Sequence, residues 1–274
     1  MARGHHPLAP LSMPYEHILN TVEQGVATIT LNRPEVLNSF NRAMASEVRD
    51  ALGAAAADRG VRAVLLAGAG RAFCAGQDLA EAMPKEGPAP DLGDIVARSY
   101  NPIVRLIRQL DKPVVCAVNG VAAGAGANLA FACDFVLAAS DASFVQSFSK
   151  IGLVPDTGGT FMLPRLVGTA RATALMMLAD KVSAQDAVAM GLIHRVVESG
   201  KLLEEATALA RSLATRPTRG LGLIKRALNA SATNGLDEQL ALEAQLQAEA
   251  GSTADYQEGV KAFLEKRAPT FIGR

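Results

Sequence analysis

Three glycine-rich segments of the chain, residues 68–79, 119–126 and 152–159, each hold few side chains that could react and many backbone N–H groups that could bind. The second runs as an apolar stretch, VVCAV, then NGVAAGAG, then the apolar ANLAFAC. A glycine turn between a strand and a helix lets backbone approach a ligand and aims free N–H groups at negative charge. The same glycines and alanines equally permit close packing of helix on strand, and this segment alone leaves both open. In the third segment Asp156 precedes Thr157-Gly158-Gly159. It is placed either to cap a new helix or to act as an acid/base, with its pKa raised by Leu153, Val154 and Phe161. Cys74 in the first segment is a nucleophile by type, but no His lies near it in sequence, and a small buried residue is the better reading.

Other chemistries are excluded by residue type. The spacing Gly120-x-x-x-Gly124-x-Gly126 resembles a dinucleotide turn, but that turn belongs after a first strand. Its usual partner, Tyr-x-x-x-Lys, is missing at Tyr15, Tyr100 and Tyr256. There is no G-x-x-x-x-G-K-[ST] loop and no G-x-S-x-G elbow. Cys74, Cys116 and Cys133 form no C-x-x-C pair and the chain has four His, so neither a zinc site nor a disulfide framework is expected, and a reducing, cytoplasmic setting is. His194 reads as a strand-surface residue.

The elements that must hold these segments follow from periodicity. Residues 15–22 and 26–31 read as a hairpin around Glu23-Gln24-Gly25, residues 41–57 and 95–110 as helices, and 63–67, 114–118 and 135–139 as buried strands. Residues 127–133 read as an apolar helix, and 84–93, with three Pro and two Gly, as a mobile loop over a site. Ser183-Ala-Gln-Asp186 is a capping-box helix start, 193–197 the last strand, and only helices are expected from Lys201 to Lys266. Strands and helices alternate first and helices dominate later, which is an α/β core with a helical C-terminal part.

The 274 residues are 49% hydrophobic and carry 27 Lys plus Arg against 27 Asp plus Glu. A balanced charge argues against a nucleic-acid partner held by a broad basic face. No apolar run reaches the roughly 18 residues a membrane helix needs, so no membrane span is expected. Residues 1–13 read as a disordered leader without a signal-like apolar run, and His5 and His6 in it are given no role.

Four motifs in order, RAFCAGQDL (71–79), KPVVCAVNGVAAGAGANLAFACD (112–134), IGLVPDTGGTFMLPRLVG (151–168) and AVAMGLIHRVV (187–197), strongly resemble the enoyl-CoA hydratase/isomerase (crotonase) family. The likeness runs from about Tyr15 to Phe271. AGQDL and GLVPDTGG look most like the family's isomerases of an epoxyphenylacetyl thioester. The resemblance implies an α/β fold, a spiral of ββα repeats over residues 14–216, with a helical trimerisation region over 217–274. It implies a homotrimer, or a hexamer built as a dimer of trimers. It implies an acyl-CoA thioester as substrate, with coenzyme A part of the substrate and no separate cofactor or metal.

By motif position, the N–H groups of Gln77 and Ala125 hold the thioester oxygen as it becomes an enolate. The CoA moiety lies along Ala75, Gln77, Asp78 and Leu79. Asp78 serves equally well as a local turn or helix cap. Ala125 and Asn128 line the acyl side, and Phe263 and Lys266 approach the nucleotide from a C-terminal helix, often a neighbour's. The two hydratase carboxylates fall at Asn128 and Phe148, neither of which can transfer a proton there. The resemblance makes Asp156 the acid/base of an isomerase. Other enoyl-CoA isomerisation or hydration is the alternative activity, and a silent acyl-CoA-binding protein is the alternative of another class.

Overall fold

The computed structural model describes residues 15–83, 87, 88 and 90–274. The expected leader and part of the expected mobile loop, residues 84–86 and 89, lie outside them. The chain opens with the hairpin. β1 (Ile18–Glu23) and β2 (Val26–Leu31) pair antiparallel, and Gln24 and Gly25 between them have positive φ of 50° and 78°, the two-residue turn whose twist suits a hairpin. Asn41 caps α1 (Arg42–Ala57), its Oδ1 accepting the Met44 N–H at 2.8 Å.

The chain then repeats itself. β3 (Ala63–Gly68) and β4 (Ala72–Cys74) lead into α2 (Leu79–Ala82), α3 (Leu92–Ile95) and α4 (Asn101–Gln109). β5 (Val114–Val118) and β6 (Val121–Ala123) lead into α5 (Ala125–Phe131), and β7 (Phe135–Ala139) and β8 (Ser143–Val145) into α6 (Gly159–Val167) and α7 (Thr169–Leu178). β9 (Val182–Ser183), α8 (Ala184–Ala189) and β10 (Arg195–Val197) finish the strand-bearing part. The Ser183 hydroxyl caps α8 by accepting the Asp186 N–H.

Among the described residues these strands form two sheets, one in the order β1-β2-β3-β5-β7-β10 and one in the order β4-β6-β8-β9. All pairings are parallel except β1 with β2 and β8 with β9. The first strand of each repeat enters the large sheet and the second enters the small one, so successive ββα units stack as turns of a spiral. The small sheet is absent from the sequence reading. Its strands are two or three residues long and sit in Gly/Ala-rich runs, where a period of two has no length in which to show. The expected helix at 95–110 is also modified: Val96–Tyr100 form one turn of π-helix ahead of α4 and bury Tyr100.

Val114–Val118 is buried at every residue, as a strand between two parallel neighbours must be. α9 (Leu202–Ala214) packs over β3 and β5. α10 (Thr218–Ala230), α11 (Leu236–Gly251) and α12 (Ala254–Leu264) follow. α10 is tied to the spiral by Lys225, whose ammonium lies 2.7 Å from Asp134. α12 holds the C-terminal tail: the buried Asp255 carboxylate accepts the N–H groups of Ile272 and Gly273 at 2.7 and 2.8 Å.

Candidate active site

Three segments meet at the start of α5. Gly124, at φ 51°, turns the chain from β6 into the helix. Ala125 follows as the first helical residue, so its N–H has no partner within the helix. The segment after β4 runs beside it, held by Phe40. The Phe40 N–H donates to the Gly76 carbonyl at 2.7 Å, and the Asp78 N–H donates to the Phe40 carbonyl at 2.9 Å. In an extended segment alternate residues turn their peptide groups to opposite sides, so the Gln77 N–H faces away from Phe40. Neither the Gln77 nor the Ala125 N–H donates to a protein acceptor among the described residues.

Glycine makes the approach of these segments possible. Gly76 has φ +95°, and a Cβ there would stand 3.0 Å from the Ala123 carbonyl oxygen and 3.7 Å from the Ala125 nitrogen. A Cβ on Gly126 would stand 2.4 Å from the Cys74 carbonyl oxygen and 2.7 Å from its Sγ. α5 therefore rests directly on β4, and its first turn is brought against the Gly76–Gln77 backbone. The segment packs helix on strand, and among the described residues it leaves the Ala125 N–H undonated.

Asp156 is the carboxylate of the third segment. Its main-chain carbonyl accepts from the Gly159 N–H at 2.9 Å and from Asn128 Nδ2 at 2.9 Å. Its Oδ1 accepts from the Thr157 hydroxyl at 2.7 Å. Burial pushes its pKa above the ordinary carboxylate value, against the Thr157 hydrogen bond, which pulls it down. The helix-cap alternative fails: α6 starts at Gly159 with Gly158 as its cap residue, and no side chain caps it. Tyr100 completes this group. Its hydroxyl donates to Gln77 Oε1 at 2.5 Å. Burial first, and then Cys74 and Asp156, push that hydroxyl far above its ordinary range, so it stays a donor.

The other expected site residues separate into those the structure leaves open and those it occupies otherwise. Asn128 is fully buried, its Oδ1 accepts from Gln146 Nε2 at 2.8 Å, and its Nδ2 is given to Asp156. Asp78 takes the helix-cap alternative with its side chain. Its carboxylate caps α2 through the Ala80 N–H and pairs with Arg33 at 2.9 Å. Ala75 gives its N–H to the Leu37 carbonyl, while the Leu79 side chain is 59% exposed. Phe263 is 83% exposed and Lys266 is exposed, so their own chain does not fold them in among Gln77, Ala125 and Asp156. Phe148 is buried, its ring 3.6 Å from where a Gly124 Cβ would stand. Cys74 is fully buried with its thiol pushed up to about 12, so it is no nucleophile near neutral pH. His194 is exposed beside the Phe135 ring.

Sequence reasoning does not mark Tyr100, Thr157 or Gln146 as site residues. The one available signal is a Tyr inside an apolar helical pattern, which periodicity assigns to the core.

A half-buried carboxylate can move a proton, and undonated backbone N–H groups can hold an oxygen that gains charge. Residues 21–274 match the family model described as enoyl-CoA hydratase/isomerase. The chain belongs to the enoyl-CoA hydratase/isomerase family. It is 55% identical to a 1,2-epoxyphenylacetyl-CoA isomerase of Escherichia coli K12, covering 94% of this chain and 99% of that protein. It is 38% identical to a trans-2-decenoyl-[acyl-carrier-protein] isomerase of Streptococcus mutans, covering 96% of this chain and 100% of that one. The solved enoyl-CoA hydratase of Bacillus anthracis superposes with a TM-score of 0.88 at 33% identity, over 94% of this chain and 100% of that chain. The crotonase fold is thus shown for this family member. At the positions where the sequence resemblance sets the hydratase carboxylates, the buried Asn128 amide and the Phe148 ring stand instead.

Proposed function

We propose that the chain isomerises 2-(1,2-epoxy-1,2-dihydrophenyl)acetyl-CoA to an oxepin thioester, a step of phenylacetate breakdown. The observation that supports this most is the half-buried, pKa-raised Asp156 carboxylate in a site whose two hydratase positions are Asn128 and Phe148. The 55% identity to an isomerase of that name supports the substrate.

In this reading the thioester carbonyl lies between the Gln77 and Ala125 N–H groups. Asp156 takes a proton from the carbon next to the carbonyl, and the electron pair moves onto the thioester oxygen. Each backbone donor stabilises that charge by roughly 3–4 kcal/mol. As the pair returns, the C–C bond shared by the epoxide and the six-membered ring breaks, the double bonds rearrange around the seven-membered ring that results with both C–O bonds kept, and Asp156 gives its proton to a different carbon. No atom and no electron enters or leaves, so coenzyme A is needed only as part of the substrate.

Assembly as a homotrimer or doubled trimer is part of the proposal. It is supported by apolar side chains left outside on the C-terminal helices, among them Leu228 and Leu236. Among the described residues no helix is long and apolar enough to cross a membrane, and three free buried cysteines suit a reducing cytoplasm.

The test is turnover of three thioesters by the purified protein. The epoxide should be consumed to an oxepin product, and crotonyl-CoA hydration should be slower by about 10²-fold or more for want of the two carboxylates. Preference for a 3-enoyl-CoA would assign a simple double-bond isomerase instead. Binding without turnover of any of them would assign a silent acyl-CoA-binding protein.

A further inference from the structure

Asn128 and Gln146 form a buried amide chain that ends on the proposed base. Gln146, just past β8 and 4% exposed, donates from Nε2 to Asn128 Oδ1 at 2.8 Å. Asn128 donates from Nδ2 to the Asp156 carbonyl at 2.9 Å. The turn that carries Asp156 is seated on this amide. A Cβ on Gly159 would lie 2.3 Å from Asn128 Nδ2, so only glycine lets the turn come down so far. Asn128 also lies on α5, three residues after Ala125, whose N–H is undonated. One short helix thus carries a proposed donor to the thioester oxygen and the anchor of the proposed acid/base.

The arrangement is not what core packing alone selects. Gln146 Oε1 is buried without a hydrogen-bond partner among the described residues, and an apolar pair of similar shape would avoid that cost. The geometry points to Asn128 as a positioning residue for Asp156: its amide, oriented by Gln146, sets the distance between the acid/base and the oxyanion donor on the same helix. This rests on the reading of Asp156 as the acid/base.

The test uses Asn128→Leu, Gln146→Met and the double variant, each measured for melting temperature, kcat and KM on the epoxide thioester. Asn128→Leu strands the buried Gln146 donor and takes from the Asp156 carbonyl one of its two hydrogen bonds, leaving that from the Gly159 N–H, so both stability and kcat should fall. The fall in kcat should be about 10–10²-fold, with KM changed by less than about threefold, because Asp156 is misplaced while the backbone donors are kept. Gln146→Met keeps the Asn128 donor and should cost less in kcat. The double variant replaces both amides by apolar groups, so melting temperature should recover toward wild type while kcat stays low. If kcat returns together with stability, the amide is merely structural and the inference is overturned. If Asn128→Leu does not fold, the double variant alone decides.

Asp156→Asn separates this inference from the reading beneath it. Added to Asp156→Asn, Asn128→Leu should lower kcat no further, since it acts through the same carboxylate. An equal loss in both backgrounds overturns the positioning role and leaves the base intact. If Asp156→Asn itself keeps full turnover, the reading fails. The crystal structure of the double variant then decides the positional claim: a shift of the Asp156 carboxyl toward 1 Å supports it, and an unmoved carboxyl refutes it.

Discussion

The Tyr100 hydroxyl donates to Gln77 Oε1 at 2.5 Å, joining the π-helical turn to the segment whose backbone N–H is a proposed oxyanion donor. The ring is 4% exposed and packs on Phe40, with centroids 5.8 Å apart. Phe40 in turn holds Gly76 and Asp78 on either side of Gln77. One aromatic pair therefore fixes both the side chain and the backbone of residue 77.

Tyr100→Phe keeps the ring and removes the donor. Stability should fall by about 0.5–1.5 kcal/mol, the ordinary net worth of such a hydrogen bond. kcat/KM should fall by roughly tenfold or less, because the loss cannot exceed that of the contact. A lower melting temperature with unchanged kcat/KM would show that the Gln77 side chain does not govern its N–H.

Two glycine substitutions should have opposite signs. Gly126→Ala places a Cβ against Cys74 backbone and sulfur, with nowhere to relax, and should destabilise by about 1–3 kcal/mol. Gly53, inside α1, has nothing within 4 Å of its missing Cβ. Gly53→Ala should stabilise by about 0.5–1 kcal/mol through helix propensity. Denaturant midpoints of the two variants check both at once.

How much of this was legible before the structure depends on the range of the interactions. The hairpin turn at Gln24-Gly25, the Ser183 cap and the buried strand at Val114–Val118 are set by neighbours a few residues away, and their residue types announce them. The helix expected at 127–133 begins at Ala125 instead, because Gly124 turns the chain at a positive φ that periodicity does not register. The site divides in the same way. Asp156 stands out in its motif, but Tyr100 reaches Gln77 across 23 residues, Gln146 reaches Asn128 across 18, and Asn128 reaches Asp156 across 28. Such pairs are made by the stacking of successive repeats. The resemblance could say that Asn128 replaces a carboxylate; only the fold shows its amide turned onto Asp156.

The cysteines should be silent in the native protein. Cys74, Cys116 and Cys133 are free and buried, and burial pushes the Cys74 thiol up to about 12. A thiol reagent such as DTNB should titrate none of the three at neutral pH and all three in denaturant. Iodoacetamide should leave turnover unaffected. Rapid native labelling at Cys74 with loss of turnover would reopen a thiol mechanism.

Assembly should depend on two apolar rows. Ile224 and Leu228 lie one turn apart on α10, Leu236 and Leu240 one turn apart on α11, and all four are more than half exposed in the single chain. The proposed assembly would cover these rows with another chain. Wild type should scatter as a trimer or a multiple of it. The double change Ile224→Glu with Leu228→Glu should lower the mass while leaving the circular dichroism of the spiral in place. A monomeric wild type would remove the proposed assembly.

Asp156→Asn tests the chemistry itself, through stability and rate together. Asp156 has its folded pKa raised above the ordinary 3.8, chiefly by burial. The folded protein therefore holds that proton more tightly than the unfolded chain does, and the ionised carboxylate opposes folding at neutral pH. That cost fades as pH falls through the raised folded value, where the group is protonated in the native state. The neutral amide of Asp156→Asn carries no such cost, and no helix cap is lost with it, since α6 has none from this side chain. The variant should melt at or above the wild-type temperature at pH 7, and the difference should shrink on acidification. Its turnover should nevertheless fall by about 10²-fold or more, the usual scale for a positioned acid/base. In wild type the acid limb of kcat/KM should lie above the ordinary carboxylate range, because the free enzyme must hold Asp156 ionised to take the first proton. A variant that keeps full turnover, or an acid limb at the ordinary carboxylate value, would take Asp156 out of the proton transfer, whatever its melting temperature.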